Sequence, residues 1–133
     1  MATVFSRIIA GELPGRFVYD DDVCVAFLSI NPLRQGHTLV VPREEVDHWL
    51  DLDAATWSHL TAVAQHLGGA IERAFAPEKV GMMLAGLEVP HVHIHLVPIW
   101  EVHDLDFARA EASPDPAELD AAQRALRAAL EQG

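Results

Sequence analysis

Three histidines alternate with large apolar residues in His91-Val92-His93-Ile94-His95-Leu96-Val97-Pro98, and this alternation constrains the fold more than any other stretch. Residues two apart on a strand point the same way. The pattern therefore predicts a strand with three imidazoles on one face and Val92, Ile94 and Leu96 on the other. Successive histidine Cα atoms then lie roughly 6.5–7 Å apart, and the outer two about 13 Å apart. That span is too wide for three rings to close on one small atom, and it suits a central histidine with a helper on each side. With 8 histidines in 133 residues, chance supplies only about 0.03 such triplets, so the row reads as functional rather than as a solvated face. Pro90 and Pro98 mark abrupt edges and place the strand beside a cleft.

The length fits one domain, 1–133, with a core over about 3–100 and a loop plus C-terminal helix over 101–133. Cys24 is the single cysteine, which excludes an internal disulfide and a Cys-rich zinc cluster and is consistent with a reducing compartment. No apolar run reaches membrane-spanning length and the N-terminus lacks the pattern of a secretion signal, so no membrane association and a cytoplasmic location are expected. A net charge of −11 argues against nucleic acid as a partner, because backbone binding needs clustered Lys and Arg. Any phosphate on a ligand must be held locally, by imidazoles and main-chain N–H groups.

Along the chain, 3–10 reads as a short helix ended by Gly11 and Pro14. Residues 17–19 and 23–28 read as a strand pair joined by a polar turn at Asp20-Asp21-Asp22. Gly36-His37 leads into a strand over 38–42. Asp53 is a candidate N-cap for a helix over 54–76 with an apolar stripe of Leu60, Val63, Ala64, Leu67, Ile71 and Phe75. His59 and His66 fall on that helix with no assigned role. Strands follow at 79–85 and at the histidine row, and a packed helix covers 117–130 with Leu119, Ala122, Leu126 and Leu130 inward. Strands in hairpin-like succession with one long helix between the third and fourth predict an α+β fold with an antiparallel sheet.

Neutral imidazole is a nucleophile near pH 7, and a neighbouring histidine can protonate a leaving group. Phosphorus suits such a site, because its oxygens take several fixed N–H donors. Two histidines at i and i+2 on a strand also suit a metal. Both readings stay open, with the wide spacing and the absence of H-E-x-x-H or C-x-x-C favouring the nucleophile.

The segment Gly86-Leu87-Glu88-Val89-Pro90 followed by the histidine row resembles the signature of the histidine-triad (HIT) family of nucleotide hydrolases and transferases. The upstream run from Asp21 to Pro32 and the element Gly36-His37-Thr38-Leu39-Val40-Val41-Pro42 are similar to the family's first half, and layout is nearest its Hint-like branch. The resemblance implies a sheet-plus-helix fold that pairs into a homodimer through a continuous sheet. It implies attack on the α-phosphorus of a nucleotide derivative (a phosphoramidate, acyl-nucleotide or dinucleoside polyphosphate), giving a nucleotidyl-histidine that water resolves, with no metal or other cofactor. By the same resemblance His93 is the nucleophile, His91, His95 and His37 support it, and Phe5, Ile8, Leu13, Phe27 and Ile30 fall where a purine base is wrapped. Three departures stand out. Ser29 replaces the aspartate that grips the ribose, and Leu87 and Glu88 replace a glutamine and a hydroxyl near the leaving group. They leave a catalytically weak nucleotide- or partner-binding module as the alternative. Some bacterial relatives hold zinc on an N-terminal Cys-x-x-Cys; here Thr3 and Ser6 stand at those places, with His48 the one other candidate ligand, so no zinc is expected.

Overall fold

The computed structural model of the chain describes residues 2–133. Its first helix, α1 (Val4–Ile9), is capped by Thr3, whose side chain accepts from the Ser6 N–H. Strands β1 (Phe17–Asp20) and β2 (Cys24–Leu28) form a hairpin, and β3 (Thr38–Pro42) follows where the sequence predicts it. The Asp20–Asp22 turn is organised by one carboxylate. Asp21 accepts from the Val23 and Cys24 amides at 2.8 Å each and from Tyr19 Oη at 2.7 Å. Its other neighbour is His59 Nε2, also at 2.7 Å, so His59 ties the turn to the long helix. Asp21, Cys24 and His59 lie within 4.8 Å of one another, but the lone pairs of Asp21 are already taken by these donors.

The long helix α2 (Ala54–Phe75) starts at Asp53, whose side chain accepts from the Thr56 N–H. Its stripe is buried at Leu60, Val63, Ala64, Leu67 and Ile71, with Phe75 half-buried at the end. Strands β4 (Lys79–Met83) and β5 (Ile94–Ile99) and the terminal helix α3 (Pro116–Gln132) complete the fold. In α3 the inward positions are Leu119, Ala122, Leu126 and Ala129, while the predicted Leu130 is half-buried. The sheet order is β1-β2-β3-β5-β4, and every pairing is antiparallel. The structure is the α+β architecture expected from the strand succession.

Both faces of the central strands are covered. Cys24, Ala26, Leu28, Val40, Ile94 and Leu96 pack under α2 and α3. The alternate residues Val25, Phe27, Leu39 and Val41 pack with Phe5 and Ile8 of α1. This period-2 split is the alternation of strand side chains made visible. The histidine row obeys it: Val92, Ile94 and Leu96 join the α2 side, and the imidazoles share the α1 side with Phe5.

The strand itself begins later than the alternation suggests, at Ile94. In the register that pairs Val40 with Ile94, Pro42 would meet Val92. Proline has no N–H to donate, and the Pro42 carbonyl is occupied by His91 Nε2 at 2.8 Å. The Val92 amide instead donates to Val46 O at 2.8 Å. His91 and His93 therefore stand on the approach to β5. Three short 3₁₀ helices, Trp49–Asp51, Val102–Leu105 and Phe107–Arg109, have no periodic signature and were not expected. Among the described residues no helix is long and apolar enough to cross a membrane.

Candidate functional site

The α1 side of the sheet opens into a cleft of about 650 Å³, within the range of small-molecule sites. His37, His93 and His95 line it. Of the residues expected around a base and ribose, Phe5, Ile8, Phe27, Ser29 and Ile30 line it as well, and Leu87 and Glu88 stand at its rim. Leu13 does not; it packs against the core beneath α1. Nor does His91, which is 0% exposed and whose ring bonds behind the cleft. Among the described residues no Lys or Arg lines the space.

The hydrogen bonds assign the protons. His93 Nδ1 is 2.7 Å from the His91 carbonyl. A carbonyl only accepts, so Nδ1 carries the hydrogen and the lone pair is on Nε2. The Leu33 amide donates to His37 Nδ1 at 3.0 Å, which places the His37 proton on Nε2. That proton is given to His95 Nδ1 at 2.9 Å, leaving the His95 hydrogen on Nε2. Among the described residues no buried side-chain nitrogen or oxygen lacks a partner. The two Nε2 atoms, which have no protein partner, are therefore open to the cleft. His93 offers a lone pair and His95 an N–H, with ring centroids 4.8 Å apart.

These tautomers require neutral rings, and burial keeps them neutral. Burial, and then the neighbouring His95 and His93, lower the His37 pKa to about 3. Burial and His93 lower that of His95 to about 4, and burial lowers His93 as well. The unfolded chain takes these protons near the ordinary histidine value of about 6.5, so it binds more protons than the native state below that pH. Folding stability from this source is complete above about pH 6.5 and falls as pH drops towards 4. Urea titrations across this range are expected to show a loss of about a few kcal/mol by pH 4. A flat profile would contradict the buried neutral triad.

The same bonds bear on metal binding. His91 uses both ring nitrogens, one on Pro42 O and one 2.7 Å from Thr3 Oγ1. His37 and His95 are bonded to each other. A three-histidine metal centre would have to break this network. Thr3 and Ser6 meet Glu45 and His91 rather than His48.

Several residues not anticipated as site residues come from the segment after β5. Phe107 stands edge-on to His95 at 5.1 Å between centroids and lines the cleft with Asn31, Ala110 and Ala112. Buried Asp104 shapes this segment, accepting from the Trp100 and Glu101 amides at 2.8 and 3.0 Å and from Arg34 at 2.7 Å. Arg34 in turn lies over the Trp100 ring, 4.8 Å from its centroid. Asn31 Nδ2 donates to Glu111 O at 3.0 Å, and the Glu111 amide donates back to Pro32 O. A lone aromatic in a polar stretch was the one sequence signal for Phe107.

An antiparallel sheet with a buried imidazole cluster at a nucleotide-sized cleft defines a protein of the histidine-triad class. Residues 10–102 match the HIT domain family, and the chain belongs to that family, whose members are nucleotide-binding hydrolases and transferases. A HIT-like protein of Borreliella burgdorferi is 35% identical over 113 residues, spanning 80% of this chain and 81% of that protein. The adenylylsulfatase HINT3 of Arabidopsis thaliana is 32% identical over 103 residues, 71% of this chain and 51% of that protein. Among solved structures, a hypothetical histidine triad nucleotide-binding protein of Sulfolobus tokodaii superposes with a TM-score of 0.83 at 28% identity, covering 96% of this chain and 91% of that one.

Proposed function

We propose that the protein is a cytoplasmic enzyme that hydrolyses, or transfers the nucleotidyl group of, a purine nucleotide derivative at the α-phosphorus, without a metal or other cofactor. The observation that carries this reading is the pairing of a His93 Nε2 lone pair with a His95 Nε2–H on one cleft wall. His93 Nε2 bonds to phosphorus as the bond to the leaving group breaks, the neutral His95 Nε2–H donates a hydrogen bond to a phosphate oxygen, and the departing atom takes its proton from solvent. Water then attacks phosphorus as the N–P bond breaks, its surplus proton passes to solvent, and the nucleotide leaves with His93 neutral again. His37 fixes the His95 tautomer, and His91 fixes that of His93 through its carbonyl. Phe5, Ile8, Phe27 and Ile30 give the base an apolar wall, and Ser29 sits near the ribose position. The relative named adenylylsulfatase supports a nucleotidyl centre. The test is hydrolysis of an adenosine phosphoramidate by wild type and His93→Ala with chelator present; turnover by wild type only is expected.

Two observations favour a second reading, a nucleotide- or partner-binding module of little activity. The Ser29 hydroxyl is engaged by the Asn31 amide at 3.2 Å, and among the described residues Glu88 is the one charged side chain at the rim. Saturable nucleotide binding with no turnover of amine or phosphate leaving groups would establish it. The protein is also proposed to form a homodimer. Strand β4 pairs on one side only, with β5, and Met82 on it is exposed, so its free edge can continue the sheet into a second copy. Sedimentation equilibrium is expected to return twice the 14.6 kDa chain mass; a monomer at micromolar concentration would refute this.

A further inference from the structure

A line of hydrogen bonds runs from the protein surface to the back of His93. At its outer end, Glu45 Oε1 accepts from the Thr3 amide at 2.8 Å and from Ser6 Oγ at 2.7 Å. The Ser6 amide donates to Thr3 Oγ1 at 3.1 Å. Thr3 Oγ1 lies 2.7 Å from His91 Nδ1 across 88 residues of sequence. The His91 Nε2 proton is committed to the Pro42 carbonyl, so Nδ1 is an acceptor and the Thr3 hydroxyl donates to it. Ser6 Oγ is also within 3.5 Å of this nitrogen, but its single proton is given to Glu45. The main chain of the same His91 presents the carbonyl that holds the His93 Nδ1 hydrogen at 2.7 Å. Phe5, within the helix that Thr3 caps, stands edge-on to both rings, 5.9 Å from His91 and 4.8 Å from His93.

We infer that Thr3 is a positioning residue for the nucleophile: its hydroxyl locks the buried His91 ring, and the locked residue's carbonyl keeps the His93 hydrogen on Nδ1. The inference rests on the reading of His93 as the nucleophile. Neutral imidazole exists as two tautomers, and only the one protonated at Nδ1 has its lone pair on Nε2, facing the cleft. If the His91 ring loses its donor, the backbone at 91 can shift, and a shift of a few tenths of an ångström weakens the bond that selects this tautomer. At metal centres, partners one step behind a ligand typically change affinity or activity about 10- to 100-fold, and the low end of that range is expected for a strut behind the nucleophile. Glu45 anchors the strut by holding both Thr3 and Ser6, and its exposed position gives it the smaller share.

The experiment compares Thr3→Val, Thr3→Ser and Glu45→Gln with wild type, measuring kcat and KM on an adenosine phosphoramidate and the His93 tautomer by imidazole ¹⁵N NMR of the free protein. Thr3→Val is expected to lower kcat about tenfold with KM within about twofold, and to raise the fraction of His93 protonated at Nε2. Thr3→Ser restores both, and Glu45→Gln shifts both slightly in the same direction. Unchanged kcat in Thr3→Val, a loss seen only in KM, or a loss with the His93 tautomer unmoved would overturn the inference. Should Thr3→Val fail to fold, Glu45→Gln carries the test, and an unmoved tautomer there overturns it. The tautomer is read without substrate. Failure of the strut is therefore distinguishable from failure of the nucleophile, which His93→Ala tests by itself.

Discussion

His93→Ala is expected to abolish turnover of an adenosine phosphoramidate, lowering kcat by about a thousandfold or more, while the protein remains folded. Covalent catalysis by a side chain leaves no partial substitute when that side chain is removed. His95 cannot take over, because its Nε2 carries the hydrogen and its Nδ1 lone pair is committed to His37. The fold should survive. His93 is 7% exposed, its ring makes one intramolecular hydrogen bond, to the His91 carbonyl, and its loss widens a cavity that is already open. The stability cost is about 1–2 kcal/mol. Steady-state hydrolysis alongside a urea unfolding curve checks both halves. Wild-type turnover by this variant would end the proposal of a nucleotidyl-histidine.

One residue further on, Ile94→Ala is expected to do the reverse. Ile94 is 0% exposed, and it packs on the other face of the sheet among the residues of α2 and α3. Truncating it removes buried methyl groups and leaves a cavity that rigid neighbours cannot close, at a cost of about 2–5 kcal/mol. The tautomer network lies on the opposite face and is held by bonds from Leu33, His37 and His91. The folded fraction should therefore keep kcat within about threefold. Denaturant unfolding and activity at low temperature measure the two effects separately. A loss below about 1 kcal/mol would mean that the apolar half of the row is not carrying the core.

The contrast between neighbours 93 and 94 is the part of this protein most legible from sequence. Alternation alone assigns Val92, Ile94 and Leu96 to one side and the imidazoles to the other. The cap Asp53 and the stripe of α2 follow from equally local rules. The cleft lining was legible only in part. Phe5, Ile8, Phe27, Ser29, Ile30, Leu87 and Glu88 line the cleft, while Leu13 packs against the core and Phe107 arrives unannounced. Phe107 depends on the Arg34–Asp104 pair and on Asn31 holding Glu111. These contacts join positions 70 and 80 residues apart, and no windowed pattern reports them.

His91 marks the boundary between the two kinds of information. Its place in the row is a property of the sequence, and so is the face it points to, because a strand's two-residue period is set by covalent geometry. Its withdrawal from the cleft is not. Pro42, 49 residues away, offers a carbonyl, and Thr3, 88 residues away, offers a hydroxyl, and together they bury the ring behind the site. The sequence by itself determined which side chains could share a face. The tertiary structure decided which nitrogen of each imidazole carries the hydrogen, because a tautomer is set by the partner a ring nitrogen meets; His37 and His93 meet nearby main chain, but the partners of His91 and His95 come from distant parts of the chain.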